Sequence, residues 1–437
     1  MTGMTRGILV LLMSISMGKG MEMMDPSERP EFHPINPGSK TFHWLLTLLF
    51  LFLLPSITCI YTLANRFNVG LFLQVISGSY SLIETLFLRF PDPNNHENST
   101  SYFTSWILTI VTGIVVLLGL INNGSRILIK SDISNSKLLI NIYKILSCLL
   151  VIIGWVRTCL AVVALFGFCY GKHTGQCIAH GIMGTAFIGY SFVLSLVLII
   201  PWIRKAQLNS TGNQKFTCQE FYDSSLIMVW GIVNTFTEHR WGKEDWSMGD
   251  YQHTAMGIIW WCGGLLGMWL SRNNNRTFVP GLILIFTGYS MSQHAQHLEI
   301  STKIHAIFGI SLMGAGISRI IEISFLLKDK SCSSNGDILS FQYFPPFLLT
   351  LSGILFMGAN EEQLVLVNDL GSDSSAYLLV VSSAAFMIFL WFQLMLELYL
   401  RLVGYDKNGS LHEAAYQEIN QQVEEFELAN LSDEEAS

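Results

Sequence analysis

Charge is scarce in this 437-residue chain, with Asp, Glu, Lys and Arg making up 13% of it against 51% hydrophobic residues. A soluble domain is about 25% charged, so the chain lacks the polar side chains that a water-facing surface needs. That excludes an ordinary soluble enzyme. Basic surplus is missing too, since 25 Lys and Arg face 32 Asp and Glu, and nucleic acid is therefore not a partner. The acidic excess is local: residues 405–437 hold nine acidic residues and one Lys, a net of -8, which leaves the remainder near +1. No GxxxxGK[ST] occurs, so ATP-driven transport has no support, and GxSxG and HExxH are also absent. The eight cysteines contain no CxxC of metal type, and no alternating strand pattern appears.

What is present is a series of apolar runs. The first, Ile8–Met17 behind Arg6, is too short to span a bilayer and ends in Ser16-x-Gly18. It predicts a signal peptide over 1–18, or else an uncleaved anchor. Residues 19–41 carry Pro26, Pro30, Pro34 and Pro37 and predict an extended lumenal linker. About eleven runs of spanning length follow, near 43–64, 68–88, 103–121, 145–169, 178–202, 224–237, 251–270, 279–296, 302–327, 343–359 and 375–402. The expected fold is an all-α polytopic integral membrane protein, with a transmembrane domain at 42–130, a second at 138–404 and an acidic cytosolic tail at 405–437. The run 224–237 has a short apolar core, which fits a tilted, broken or re-entrant segment as well as a full span.

A cleaved signal puts the mature N-terminus on the lumenal side, and eleven crossings then put the C-terminus in the cytosol. The basic residues agree with this alternation. Arg126, Lys130 and Lys137, then Arg204, Lys205 and Lys215, then Arg272 and Arg276, and finally Lys328 and Lys330 all fall in cytosolic connections. The non-cytosolic connection 360–373 carries Glu361, Glu362, Asp369 and Asp373. The expected location is the secretory pathway: endoplasmic reticulum, vacuole or plasma membrane. Cys169 and Cys177 bracket one short lumenal loop, where an oxidising compartment permits a disulfide; two free thiols at helix ends are the alternative. Cys59, Cys148, Cys159 and Cys262 fall inside spans and read as small packing residues.

Histidine placement is the most informative feature. His43, His180, His239, His253, His294, His297 and His305 all fall at the non-cytosolic ends of spans, and none at a cytosolic end. His294 and His297 are i and i+3, on one helix face. His305 follows after a short turn, and His253 belongs to the preceding span. With Glu238, Asp250 and Glu299 nearby as further acceptors, His294, His297, His305 and His253 form a candidate site for a transition metal ion such as zinc, copper or iron. His180, His239, His43, Glu238 and Glu299 are secondary candidates. A single haem b is the other cofactor this set admits, and interfacial anchoring of helix ends the structural alternative. A two-haem wire is excluded, because it needs axial ligands near both membrane faces. Four intramembrane charges stand apart: Arg157 and Glu84, which the sequence cannot join, and Arg319 with Glu322, which share a helix face.

Long motifs then resemble a known family. They are "CIAHGIMGTAFIGYS" from Cys177, "VNTFTEHRWGKEDWSMGDYQHTAMGIIWWCGGLLGMWLSR" from Val233, "VPGLILIFTGYSMSQHAQ", "STKIHAIFGISLMGAGISRIIEISF" and "FPPFLLTLSGILFMGANEEQLVL". In this order, over roughly 177–400, they resemble the C-terminal region of the fungal yeast putative transmembrane protein (YTP-like) family. His43 to about Ile129 resembles that family's other region, a domain of unknown function. The resemblance implies a fungal multi-spanning membrane protein without implying a mechanism. The family is distantly similar to ascorbate-type transmembrane b cytochromes, which would nominate His180, His253, His294, His297 and His305. Three functions remain: a redox or metal-handling protein with a lumenal centre, a proton- or cation-coupled transporter using the histidines, and a membrane scaffold whose acidic tail recruits a cytosolic partner.

Overall fold

The computed structural model describes residues 36–128, 137–169, 174–201, 203, 218–237, 239, 246, 248–273, 275–293, 298–327 and 338–405. The predicted signal peptide, most of the proline-rich segment 19–41 and the acidic residues beyond Tyr405 lie outside the described residues. Helices account for the regular structure, and no strand occurs among the described residues. Each predicted apolar run is a helix: α1 (Pro37–Leu63), α2 (Phe67–Phe87), α3 (Ser99–Leu128), α4 (Lys137–Phe166), α5 (Thr174–Ile199), α6 (Gln219–Thr237), α7 (Met248–Ser271), α8 (Val279–Ser292), α9 (Glu299–Leu326), α10 (Ser340–Met357) and, last in the chain, α12 (Ser374–Leu402). The short α11 (Glu361–Asp369) sits between α10 and α12.

Nine helices among the described residues are long and apolar enough to cross a membrane. Of the eleven apolar runs expected from sequence, the two that do not qualify are α6 and α8. The first carries Glu220 and Asp223 in its opening turns. The second is apolar but has 14 residues, which at about 1.5 Å per residue is near 21 Å, short of a hydrocarbon core of about 30 Å. Large apolar side chains point outward all along the spans, Phe87, Phe325 and Leu379 among them. With so little water-facing polarity, this is the surface of an all-α membrane protein.

The chain divides into two compact units. One comprises the described residues up to Gly167 with those from Leu394; the other is Phe168–Gln393. The sequence places the boundary at 130–138; the structure moves it past α4. The reason is visible in α4 itself: Tyr143 donates to Gln74 of α2 at 2.6 Å, and Arg157 reaches Glu84.

Within the first unit, α1 is irregular for a clear reason. Pro55 has no N–H to offer the Leu51 carbonyl one turn back, and its ring crowds that carbonyl. The helix widens to π geometry over Leu48–Leu53. Gly154 of α4 lies against the displaced carbonyl so closely that a Cβ there would stand 1.8 Å from Leu51 O. Hydroxyls zip α2 to α3: Ser81 to Thr109 at 2.6 Å, Thr85 to Thr109 at 2.7 Å and Thr85 to Ser105 at 2.6 Å. Without a hydrophobic drive between helices in lipid, such small polar contacts are what associates them.

The second unit is built from helix pairs in close backbone contact. A Cβ at Gly288 of α8 would meet Gly309 O of α9 at 2.5 Å, and one at Gly184 of α5 would meet Gly353 O of α10 at 2.6 Å. The Gly263-x-x-x-Gly267 spacing serves two neighbours: Gly263 faces Ile283 of α8, and Gly267 faces Ser224 of α6.

Candidate functional site

His180 sits in the second turn of α5 and His305 in the second turn of α9. Both are buried, at 8% and 2% exposure. The structure brings their rings to 6.1 Å between centroids, nearly perpendicular at 87°. Each imidazole is held by its own helix. His180 Nδ1 lies 2.8 Å from Gln176 O, and His305 Nδ1 lies 2.9 Å from Ser301 O. A carbonyl only accepts, so Nδ1 carries the proton in both rings and Nε2 keeps its lone pair. His180 Nε2 has no hydrogen-bond partner among the described residues. The walls are aromatic. Phe356 of α10 stacks on His180 at 4.5 Å and packs on Phe308 at 4.7 Å. His253, half-buried near the start of α7, is close enough to His180 for their charges to interact.

The mouth of this site is tied down. Cys169 and Cys177 are bridged, with Cα atoms 5.5 Å apart, and the second of them lies one turn before His180. The Cys169 N–H donates to Glu362, whose side chain is buried at the start of α11. Asn360 caps α11 by accepting the Glu362 N–H at 3.1 Å. The acidic connection is thus part of the packed interior at Glu361 and Glu362.

The other predicted ligands fall elsewhere. His294, His297 and Glu238 lie outside the described residues. His239 is buried, 3.3 Å from Asp250 and stacked on Trp246 at 4.1 Å. Glu299 does not support the histidines: its side chain is 84% exposed and pairs with Lys303 at 2.6 Å, one turn along α9. Among the described residues no three His, Cys, Asp or Glu side chains form a metal-holding group.

Two charge networks complete the picture. In the first unit Arg157 Nη2 meets Glu84 Oε1 at 2.9 Å and Arg157 Nη1 meets Glu97 at 3.3 Å, all nearly fully buried. His43 lies 3.6 Å from the same Glu84 oxygen. In the second unit Arg319 bridges Glu322 at 2.6 Å and Glu220 at 3.1 Å, and Arg276 meets Glu220 at 2.7 Å. A cavity of about 10 Å³, room for about one water, adjoins Glu220, Asp223, Tyr190 and Arg319. Glu97, Glu220 and Arg276 were not singled out from sequence as site residues, because each reads as an ordinary residue of a polar connection or helix end.

Residues 153–400 match the family described as Protein YTP1-like, C-terminal. The chain is 51% identical to Protein YTP1 of Saccharomyces cerevisiae over 423 residues, 95% of this chain and 90% of that protein. It is 25% identical to an uncharacterized membrane protein of Schizosaccharomyces pombe over 260 residues, half of each chain (50% and 51%). A second uncharacterized membrane protein of Saccharomyces cerevisiae is 27% identical over 169 residues, 33% of this chain and 27% of that one. No solved structure matches the chain. The chain belongs to the YTP1-like family of multi-pass membrane proteins.

Proposed function

We propose that this protein handles a transition metal ion, zinc, copper or iron, at a histidine site at the non-cytosolic membrane face, with His180 and His305 as its core. One observation carries the proposal. Two buried imidazoles on different helices, 6.1 Å apart, both spend Nδ1–H on an i−4 carbonyl, the tautomer that metal-bound histidine adopts, and Nε2 of His180 has no hydrogen-bond partner among the described residues. Metal–nitrogen bonds of about 2.0–2.1 Å put two coordinated rings roughly 5–6.5 Å apart between centroids; the observed 6.1 Å falls in that range. His253 is the next ligand to consider. An ion is favoured over a haem for a packing reason. Phe356 lies against His180 and on Phe308, where a porphyrin would need an open slot. The topology that accompanies this function has the N-terminus lumenal and the C-terminus cytosolic.

Elemental analysis and an absorption spectrum of the purified full-length protein test the proposal. The expected result is about one metal ion per chain with no Soret band, lost in the double variant His180→Ala with His305→Ala. A Soret band in the wild type replaces the ion by a haem. Absence of both, or a metal content the double variant retains, ends the proposal.

A further inference from the structure

The first unit holds a second group of ionisable side chains, with an unbalanced charge. The side chains of Glu84, Glu97 and Arg157 are 0%, 5% and 1% exposed, and that of His43 is 8% exposed. With His43 neutral, two carboxylates face one guanidinium, and the cluster carries a net charge of -1 away from water. A buried charge without a counter-charge is strongly disfavoured in a membrane span. The hydrogen bonds show where the deficit lies. Glu84 Oε1 accepts from Arg157 Nε at 3.2 Å, from Arg157 Nη2 at 2.9 Å and from the Thr47 hydroxyl at 3.3 Å. Glu84 Oε2 is buried and has no donor among the described residues. His43 Nε2, 3.6 Å from Oε1, has no hydrogen-bond partner among them either. A carboxylate lacking a donor lies beside an imidazole nitrogen lacking a partner, in a cluster whose charge is one short of balance.

We propose that His43 and Glu84 form a proton-binding site, in which the pair takes up one proton on His43 Nε2 that neutralises the cluster and is donated toward the Glu84 carboxylate. The proton comes from water at this helix end and returns to it, so one N–H bond forms and no other reactant is needed. The surrounding groups are consistent with this. From α1, Thr47 faces the pair. From α2, Tyr80 lies 3.5 Å from the Thr47 hydroxyl. From the connection after α2 come Phe90 and Glu97, and from α3 comes Ser101, which donates to Glu97 at 2.7 Å. From α4 comes Arg157, whose Nη1 is shared between Glu97 and Ser101. Nearby charges are committed elsewhere: Lys40 donates to the Arg89 carbonyl, Asp92 accepts the His96 N–H, and Arg89 lies over the Tyr102 ring. Phe90 closes the site, stacked on His43 at 3.9 Å with Arg157 at 5.1 Å on its ring. His43 is the imidazole among these groups, and a proton on it brings the cluster from -1 to neutral.

Infrared difference spectroscopy on full-length protein in liposomes, titrated from about pH 8 to pH 5, reads the site directly. The wild-type difference spectrum is expected to contain an imidazole-to-imidazolium conversion that vanishes in His43→Gln, a variant that leaves the Glu84–Arg157 pair in place. In Glu84→Gln the imidazole conversion should persist, while the perturbed carboxylate band that accompanies it in the wild type is lost. Identical spectra for wild type and His43→Gln would overturn the proposal, as would a carboxylate band unchanged in Glu84→Gln. Should Glu84→Gln fail to fold, the wild type decides the matter: the His43 bands must titrate together with a perturbed carboxylate band, and a His43 signal with no accompanying carboxylate change overturns the proposal.

Discussion

Replacing Arg157 by Met is the most informative perturbation of the first unit. The guanidinium makes two bonds to Glu84 at 3.2 and 2.9 Å, one to Glu97 at 3.3 Å, and two to Ser101, at 2.5 Å to the hydroxyl and 3.0 Å to the carbonyl. Methionine fills similar space but leaves both carboxylates buried without a cation. Removing one partner from a buried ion pair costs about 3–5 kcal/mol, more than the net worth of the intact pair, because the orphaned charge is what is penalised. Spread over a unit of this size, that corresponds to a fall in Tm on the order of 10 °C. Adding Glu84→Gln to Arg157→Met removes one orphaned charge, so the double variant should recover stability, with a coupling of about 1–3 kcal/mol between the two sites. A thermal melt of purified protein in detergent, followed by a thiol-reactive dye, measures all four corners of the cycle. Arg157→Met melting within about 2 °C of wild type, or strictly additive effects in the double variant, would refute the buried-pair reasoning.

Three further outcomes follow from individual contacts. Gly154→Ala should destabilise the first unit by about 1–3 kcal/mol or more through overpacking, since its Cβ has no room against the Leu51 carbonyl; an unchanged melt would show that α1 and α4 do not meet there. Cys177→Ser opens a short loop of sequence separation 8, worth about 2–3 kcal/mol in chain entropy; non-reducing peptide mapping should show the 169–177 crosslink in the wild type, and free alkylation of both thiols without reductant would deny it. A glycosylatable reporter fused after Ser437 should stay unmodified under the proposed topology, in which the basic connections face the cytosol together with the C-terminus; a glycosylated reporter reverses the topology.

Which parts of this architecture the sequence disclosed depends on the kind of signal each residue carries. The helices were legible because apolar runs of spanning length have few other uses, and even the run 224–237, with its short apolar core, lies in a continuous helix. The weak point was α8: hydropathy ran the segment on to residue 296, whereas the helix described stops at Ser292. The unit boundary was not legible, because α4 joins α1–α3 through Tyr143, Gly154 and Arg157, and such pairings connect residues far apart in the chain, 69 positions for Tyr143 with Gln74 and 73 for Arg157 with Glu84. Arg157 and Glu84 stood out as intramembrane charges, but their joining, and the participation of Glu97 and His43, required the tertiary structure. The same holds for the histidines. Spacing drew attention to His294 and His297, which lie outside the described residues, and ranked His180 second. What pairs His180 with His305 is the docking of α5 and α9 around α10, where Gly184 and Gly353 allow close approach. Glu299 illustrates the converse: adjacent in sequence to the histidines, it turns outward to Lys303.

The most direct test of the histidine site is X-ray absorption at the edge of whichever metal copurifies with the full-length protein. The expected spectrum shows imidazole scattering with metal–nitrogen distances of about 2.0–2.1 Å, reduced in His180→Ala and in His305→Ala while both variants still insert into the membrane. A metal shell of oxygen ligands alone, or an imidazole signal unchanged by either substitution, would contradict the assignment of these two residues.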